Sequence, residues 1–151
     1  MSDLVLDASL TLQWFLEDET ERQYSLGVLA ALADRTALVP RIWFYEVGNG
    51  LLMASRRQRI ASGQIKGFLS RLRVLPIAAA EEEPSALFEL PALAGAHGLT
   101  NYDAAYLALA IRSGLPLATS DRGLRKAATA SGIEIFAPPG ASATHGSLPS
   151  R

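Results

Sequence analysis

The sequence predicts an α/β fold, in the form of a three-layer α/β/α sandwich around a mostly parallel central sheet. Five short apolar runs alternate with longer segments in which apolar residues recur at helical spacing. Strands that are buried on both faces have short, continuous apolar runs of this kind. The chain has 151 residues, of which 49% are hydrophobic, so one domain can bury a core without cross-links.

The first half of the chain contains two predicted strands and three predicted helices. The strands are LVL at residues 4–6 and ALVP at residues 37–40. The helices cover residues 9–15, 19–35 and 43–59. Pro40 stops the second strand, because proline has no backbone N–H to donate to a neighbouring strand.

The second half continues the alternation. The predicted helices cover residues 62–73, 83–98, 99–114 and 121–132, and the predicted strands are VLPI at 74–77, PLAT at 116–119 and IEIF at 133–136. Pro76 favours an edge position for the strand at 74–77, since a central strand needs every backbone donor. Gly98 is a plausible end for the helix before it, because glycine readily adopts the left-handed conformation of a C-cap.

Composition bounds the domain organisation and excludes several kinds of site. Residues 1–137 are predicted to form the domain, and residues 138–151 a flexible tail rich in Pro, Gly and Ser. The absence of cysteine excludes disulfides, thiolate zinc sites and a cysteine nucleophile. With only His97 and His145, a multi-histidine metal site is not expected. The acidic N-terminus and the lack of an apolar run of roughly 18 residues predict a cytoplasmic protein without a membrane span.

Four carboxylates stand where the predicted elements begin or end. Asp7 follows the first strand and Asp121 follows the strand at 116–119, whereas Asp103 opens the helix over 99–114. Glu46 lies on an otherwise apolar helix, three residues before Asn49 and on the same face. Ligands of open α/β sheets bind beyond the carboxyl ends of the strands, so these are suitable positions for a site.

Convergence of these four acids would require protonation or a bound cation. One pair of like charges about 4 Å apart costs about 4 kcal/mol at an effective dielectric constant near 20. Several such pairs would remove much of a typical folding stability of roughly 5–15 kcal/mol, unless the groups are protonated or bind a cation. Oxygen ligands favour Mg²⁺ or Mn²⁺ over zinc, and such an ion suits hydrolysis of a phosphodiester.

Each acid also has a purely structural interpretation. Asp103 stands three residues after Thr100, as in a capping box, and Asp7 can cap the short helix that follows it. Asp121 can be a favourable charge at a helix N-terminus, and Glu46 can be an exposed surface residue. Three further polar residues are candidates for supporting roles but are commonly ordinary caps: Ser9, Asn49 and Thr119.

The acids and their neighbours resemble a PIN domain, and specifically a VapC-type toxin ribonuclease. The resemblance spans roughly residues 4–136 and lies in four ordered blocks, LVLDAS, VPRIWFYEVGNGLL, GLTNYDAAYLALA and LPLATSDRGLRKAA. These blocks contain the acids Asp7, Glu46, Asp103 and Asp121 and the polar residues Ser9, Asn49 and Thr119. The fourth block is the least specific, because that acid is sometimes absent or nonessential in the family.

The resemblance implies an endoribonuclease that depends on Mg²⁺ or Mn²⁺ and cuts single-stranded or looped RNA. The four acids would bind one or two ions. The resemblance also implies a homodimer and a cognate antitoxin, which often inserts an arginine toward the acidic site. The net charge is only −1, so RNA contacts must come from local patches. Arg122 and Arg125 are the preferred candidates, since they follow Asp121 on one helix.

Two alternatives remain open. A catalytically inactive PIN-like protein would serve only as a binding partner, although the presence of all four acids argues against it. A small α/β phosphatase built on Asp7 is less favoured, because a haloacid-dehalogenase-type enzyme needs a second aspartate where this chain has Ser9.

Overall fold

The computed structural model describes residues 2–16 and 22–140. The strands in this part of the chain are β1 (Leu4–Leu6), β2 (Ala37–Val39), β3 (Ile77–Ala79) and β4 (Leu117–Ala118). The helices there are α1 (Ala8–Leu12), α2 (Arg22–Ala31), α3 (Ile42–Arg56), α4 (Gln64–Arg73), α5 (Pro84–Leu87), α6 (Leu90–His97), α7 (Asn101–Ser113) and α8 (Arg122–Ala130). Among these helices, none is long and apolar enough to cross a membrane.

The four strands form one sheet with the order β3-β2-β1-β4, and every pair of neighbours is parallel. The prediction of an α/β fold around a mostly parallel sheet is therefore confirmed. β1 is central and buried: Leu4, Val5 and Leu6 are 0% exposed, as expected for a strand that is covered on both faces. In register, Leu4 pairs with Ala37 of β2, and Leu6 pairs with Ala118 of β4.

The strand order places a switch point beside β1. The chain moves from β1 to β2 to β3 in one direction and then returns to the other side of β1 to form β4. Parallel crossovers are right-handed, so the connections on the two sides of β1 run over opposite faces of the sheet. Ligands of sheets with this topology bind outside the carboxyl ends of the strands at the switch point, which here are β1 and β4.

The third strand lies at the sheet edge as predicted, but the predicted bounds of 74–77 were wrong. The strand begins after Pro76, and Val74 is the C-cap of α4 with 82% of its surface exposed. The apolar run at residues 74–77 therefore overlaps the strand only at Ile77. Pro76 still contributes to the sheet, since its carbonyl oxygen accepts a hydrogen bond of 2.9 Å from the Ala37 N–H.

Two further predictions need correction. The helix predicted over 83–98 is two helices, α5 and α6, because Pro91 lies in the first turn of α6 and cannot continue a helix from its N-terminal side. The strand predicted over 133–136 is only an isolated parallel bridge between Leu117 and Ile135. Gly98 does end α6 as predicted, with a left-handed φ of 64°.

The start of the predicted tail is packed onto the domain. Pro138 is buried, and a Cβ added to Gly27 of α2 would lie 3.2 Å from the ring of Pro138. Residues 141–151, including His145, and the first residues of the helix predicted from residue 19 lie outside the described residues. The boundary between residues 137 and 138 stays a prediction.

Candidate active site

Asp7 lies at the switch point because β1 ends immediately before it. Its backbone N–H donates to the carbonyl oxygen of Ala118 in β4, at 3.0 Å, which fixes the residue between the two strands. Its side chain is 4% exposed and is the N-cap of α1, accepting from the Ser9 N–H. The hydroxyls of Ser9 and Thr119 both donate to Asp7 Oδ2, each at 2.7 Å. The capping interpretation is thus confirmed, and the carboxylate lies at the carboxyl end of β1.

Burial raises the pKa of Asp7 above its ordinary value. The hydrogen bonds from Thr119 and Ser9 favour the charged form and oppose this rise, and the nearby charge of Asp103 adds to it. Desolvation is the largest of these effects. A carboxylate in this position is stabilised by a proton or by a positive charge placed beside it.

The loop after β4 is held by a short series of hydrogen bonds. Thr119 is buried, and its hydroxyl accepts from the Asp121 N–H at 3.1 Å while it donates to Asp7. The Arg125 Nε–H donates to the Thr119 carbonyl oxygen at 2.6 Å. The guanidinium of Arg125 also lies 4.7 Å from the ring centroid of Tyr24. Thr119 therefore supports Asp7, and Arg125 supports the loop that carries Thr119.

Glu46 reaches the same region from α3. It is half-buried, and its Oε1 accepts a hydrogen bond of 2.7 Å from the hydroxyl of Tyr106. Burial raises the pKa of Glu46, the Tyr106 hydrogen bond opposes the rise, and the charges of Asp7 and Asp103 add to it. The interpretation of Glu46 as an exposed surface residue is therefore wrong.

Tyr106 was not recognised from the sequence as a functional candidate. It is 0% exposed and lies on α7, three residues after Asp103. Burial and its bond to the Glu46 carboxylate raise the pKa of the phenol, so that it remains a hydrogen-bond donor. The only local signal is a tyrosine among the alanines and leucines of an apolar helix, because the partner is 60 residues away in the chain.

Asp103 lies in the first turn of α7. Thr100 is the N-cap of this helix, and its hydroxyl accepts from the Asp103 N–H at 3.1 Å. Burial raises the pKa of Asp103, a hydrogen bond with the Thr100 side chain opposes this, and the charge of Asp121 adds to the rise. The capping pair is present, and the carboxylate also lies in the field of the other acids.

Asp121 is exposed and has a local structural role. It is the N-cap of α8, and its Oδ1 accepts from the Leu124 N–H at 2.7 Å. The structural interpretation of Asp121 is therefore confirmed as one of its roles. Its charge is nevertheless close enough to Asp103 to raise the pKa of that residue.

The four acids thus form a connected set of repelling charges at one edge of the sheet. Asp7 and Glu46 each lie in the field of Asp103, and Asp103 lies in the field of Asp121. Within residues 2–16 and 22–140, no three acidic or histidine side chains are close enough to form a ready-made metal shell. Mg²⁺ is commonly bound by one or two carboxylates and several waters, so oxygen ligands that do not form a complete shell still fit such an ion.

The remaining candidates differ in their surroundings. Ser9 is exposed and bonded to Asp7, whereas Asn49 is exposed on α3, one turn after Glu46. Arg122 is exposed at the first position of α8, beside Asp121. Arg125 is only partly exposed and is engaged with Thr119 and Tyr24. An RNA contact therefore remains a prediction for both arginines, with Arg122 the more accessible of the two.

Comparison with known proteins gives consistent matches. The profile of the PIN domain matches residues 4–130. Ribonuclease VapC3 of Pyrobaculum aerophilum is 34% identical over 125 residues, which cover 80% of this chain and 91% of the relative. Exonuclease VapC9 of the same organism is 42% identical over 84 residues, which cover 53% of this chain and 58% of that relative. This chain therefore matches little more than half the length of VapC9.

Solved structures show the same fold. The structure of PAE2754 from Pyrobaculum aerophilum has a TM-score of 0.58 and 27% identity, covering 83% of this chain and 84% of that chain. FitAcB from Neisseria gonorrhoeae has a TM-score of 0.58 over 89% of this chain and 97% of that chain, but its 20% identity supports the fold alone. Because the profile spans most of the chain and VapC3 is similar over four-fifths of it, the chain belongs to the PIN-domain family and is of the VapC type.

Proposed function

We propose that this protein is an endoribonuclease that depends on a divalent metal ion, either Mg²⁺ or Mn²⁺, and that it is the toxin of a toxin–antitoxin pair. The observation that carries the proposal is the proximity of Asp7, Glu46 and Asp103, whose pKa values are all raised by burial. The charge of Asp103 adds to the rise at Asp7 and Glu46, and the charge of Asp121 adds to the rise at Asp103. Membership of the PIN-domain family and the similarity to Ribonuclease VapC3 support the reaction class.

Asp7, Glu46 and Asp103 are the residues that would bind the ion, with Asp121 at the periphery. PIN-domain nucleases generally use a divalent metal, which lowers the pKa of bound water and neutralises charge on the phosphoryl oxygens. The protein orients the carboxylates in advance. Ser9 and Thr119 bind Asp7 Oδ2, and the buried side of Asp7 is closed to solvent.

RNA binding is proposed to use exposed cations beside this site. Arg122 is accessible and adjacent to Asp121, so its guanidinium can bind a phosphate of an RNA chain that crosses the acidic edge. Arg125 contributes indirectly, because its bond to the Thr119 carbonyl oxygen stabilises the loop that supports Asp7. Cleavage of unpaired RNA is expected, since a single strand exposes its phosphates and bases.

Two protein partners are proposed. The VapC-type sequence supports a cognate antitoxin, and the repelling carboxylates offer a suitable binding site for an inserted arginine side chain. A homodimer is proposed from the resemblance to VapC-type toxins. Size-exclusion chromatography with light scattering tests the homodimer, and a mass of one chain at micromolar concentration would contradict it.

The test of the enzymatic proposal is cleavage of a labelled single-stranded RNA by the purified chain in millimolar Mn²⁺ or Mg²⁺. Cleavage that EDTA abolishes is expected for the wild type, and loss of cleavage is expected for Asp7→Asn. Asp34→Asn is the matched control, since Asp34 is exposed outside the site. Wild-type protein that binds RNA or an antitoxin but never cuts would instead favour the binding-only alternative. Hydrolysis of p-nitrophenyl phosphate without RNA cleavage would favour the phosphatase.

A further inference from the structure

The hydrogen bond between Tyr106 and Glu46 connects two helices that are far apart in the sequence. Glu46 lies on α3, which follows β2, and Tyr106 lies on α7, which precedes β4. The phenol donates to Glu46 Oε1 at 2.7 Å. Tyr106 also lies near Asp7, whose charge acts on its phenol. The bond therefore lies beside the candidate site of Asp7, Glu46 and Asp103 and not on a remote surface.

The burial of Tyr106 makes this bond obligatory. Tyr106 is 0% exposed and is among the largest fully buried side chains in the described part of the chain. A buried hydroxyl without an acceptor destabilises a protein, so the phenol is retained only where an acceptor is present. The Glu46 carboxylate is the acceptor, and a phenylalanine would fill the same space in the core without needing one.

The bond restricts the freedom of Glu46. A glutamate side chain on a helix has three torsion angles, and its carboxylate rotates freely in solvent. Donation to Oε1 fixes the rotation of the carboxylate group and therefore the direction of Oε2. The bond keeps the carboxylate close to the negative charges of Asp7 and Asp103. Without the bond, repulsion would favour a rotation of the carboxylate away from them.

We propose that Tyr106 is a positioning residue that orients the Glu46 carboxylate for binding of the divalent ion. This inference rests on the proposed metal-dependent function and assigns a role to a residue outside the four acids. Tyr106 does not contact RNA, because it is fully buried. Its hydroxyl also interacts with the Ala8 backbone next to Asp7, and the proposed route to the ion is through Glu46.

The test is a Tyr106→Phe variant, examined by thermal melting at increasing Mn²⁺ concentration. The Mn²⁺ concentration that gives half of the maximal rise in melting temperature should increase by about 10–100-fold, the usual effect of losing a hydrogen-bond partner of a metal ligand. RNA cleavage should return toward the wild-type rate at saturating Mn²⁺. Tyr102→Phe is the matched control, because Tyr102 is on the same helix but 61% exposed, and its midpoint should not change.

A double-mutant cycle identifies the route of the effect. If Tyr106 acts through Glu46, then Tyr106→Phe should leave the midpoint unchanged in a Glu46→Gln background. A Tyr106→Phe midpoint equal to that of the wild type would overturn the inference and leave the proposed function intact. Wild-type protein that shows no rise in melting temperature with Mn²⁺ would overturn both.

A second measurement needs no change at position 106. The wild-type chain contains four tyrosines and can be labelled with 3-fluorotyrosine, with signals assigned from Tyr→Phe variants at the other three positions. During a Mg²⁺ titration, the fluorine resonance of Tyr106 should shift with the same midpoint as the rise in melting temperature. A resonance that stays fixed while Mg²⁺ stabilises the protein would contradict the positioning role.

Discussion

Two helices, α7 and α8, begin beside the same edge of the sheet. Each has an aspartate in or just before its first turn, but the two aspartates have different roles. In α7 the capping bond is made by Thr100, whose hydroxyl accepts from the Asp103 N–H. In α8 the cap is Asp121 itself, whose Oδ1 accepts from the Leu124 N–H. Asp103 is half-buried with a raised pKa, whereas Asp121 is exposed.

This difference indicates which carboxylates at helix N-termini are available to bind a cation. In α7 a separate residue, Thr100, makes the capping bond, so the carboxylate of Asp103 is free to serve the site. In α8 one oxygen of Asp121 is engaged in the cap, as in Asp7 at α1, but Asp121 is exposed whereas Asp7 is buried. We therefore expect Asp103 to matter for chemistry and Asp121 to matter mainly for the local stability of α8.

The largest expected effect is the contrast between Asp103→Asn and Asp121→Asn in RNA cleavage. Asp103→Asn should reduce the cleavage rate by more than about 100-fold. Loss of a hydrogen-bond partner of a metal ligand typically costs about 10–100-fold, and loss of a charged ligand itself should cost more. Asp121→Asn should reduce it by less than about 10-fold, since asparagine caps a helix as well as aspartate and the charge lost is peripheral.

The measurement is the rate constant for cleavage of one labelled RNA at saturating Mn²⁺, with melting temperatures to confirm folding. Equal loss of activity in the two variants would remove the distinction between the helices. A larger loss for Asp121→Asn would reverse it and make the exposed acid the principal ligand.

A smaller expected effect concerns the folding stability that the caps of α7 and α8 provide. Asp121→Ala removes the α8 cap and should destabilise the protein by about 0.5–2 kcal/mol, whereas Asp121→Asn should cost much less. Thr100→Ala should destabilise by a similar amount through α7. Urea unfolding of the metal-free protein measures all three changes. Identical stabilities for Asp121→Ala and Asp121→Asn would show that the α8 cap contributes nothing in solution.

The smallest expected effect is a pH dependence of metal-free stability that involves Asp103 and its neighbours. Because Asp7, Glu46 and Asp103 have raised pKa values when folded, the native state binds more protons than the unfolded state just above their ordinary values of 3.8, 4.5 and 3.8. Their contribution to stability is therefore complete at lower pH and is lost as the pH rises through the raised pKa values.

The check is the free energy of unfolding of the metal-free protein from pH 4 upward, for the wild type and Asp7→Asn. The decline with rising pH should be shallower in Asp7→Asn, because that variant removes the most buried of the three groups. A decline of equal slope in both proteins would show that Asp7 does not contribute to it.

The fold was predictable where the hydrophobic pattern of a segment matches its burial in the folded protein. The run LVL lies at the centre of the sheet, and its alternation with helical segments predicted parallel strands. The prediction was wrong for the third strand because Val74 is apolar but exposed. It was also wrong for residues 133–136, where IEIF makes a single bridge beside β4, since the number of backbone bonds that a strand makes depends on its neighbours.

The acids could be proposed from the sequence because Asp7, Asp103 and Asp121 follow a strand or begin a helix, because Glu46 interrupts an apolar helix, and because the motifs around them resemble one family. The supports of those acids were not predictable in the same way. The bond from Tyr106 to Glu46 joins residues 60 positions apart, and that from Thr119 to Asp7 joins residues 112 apart. The engagement of Arg125 with Thr119 and Tyr24 likewise depends on packing between elements.

The most direct test of the central claim, a divalent-cation site formed by repelling carboxylates, is the melting temperature of wild-type and Asp7→Asn protein as Mn²⁺ is added. The wild type should be stabilised by about 2.7 kcal/mol when Mn²⁺ reaches 100 times its Kd. That corresponds to roughly 5–10 °C for a chain of this size. Asp7→Asn should show little or no rise over the same range. An unchanged wild-type melting temperature, or an equal rise in both proteins, would contradict the account.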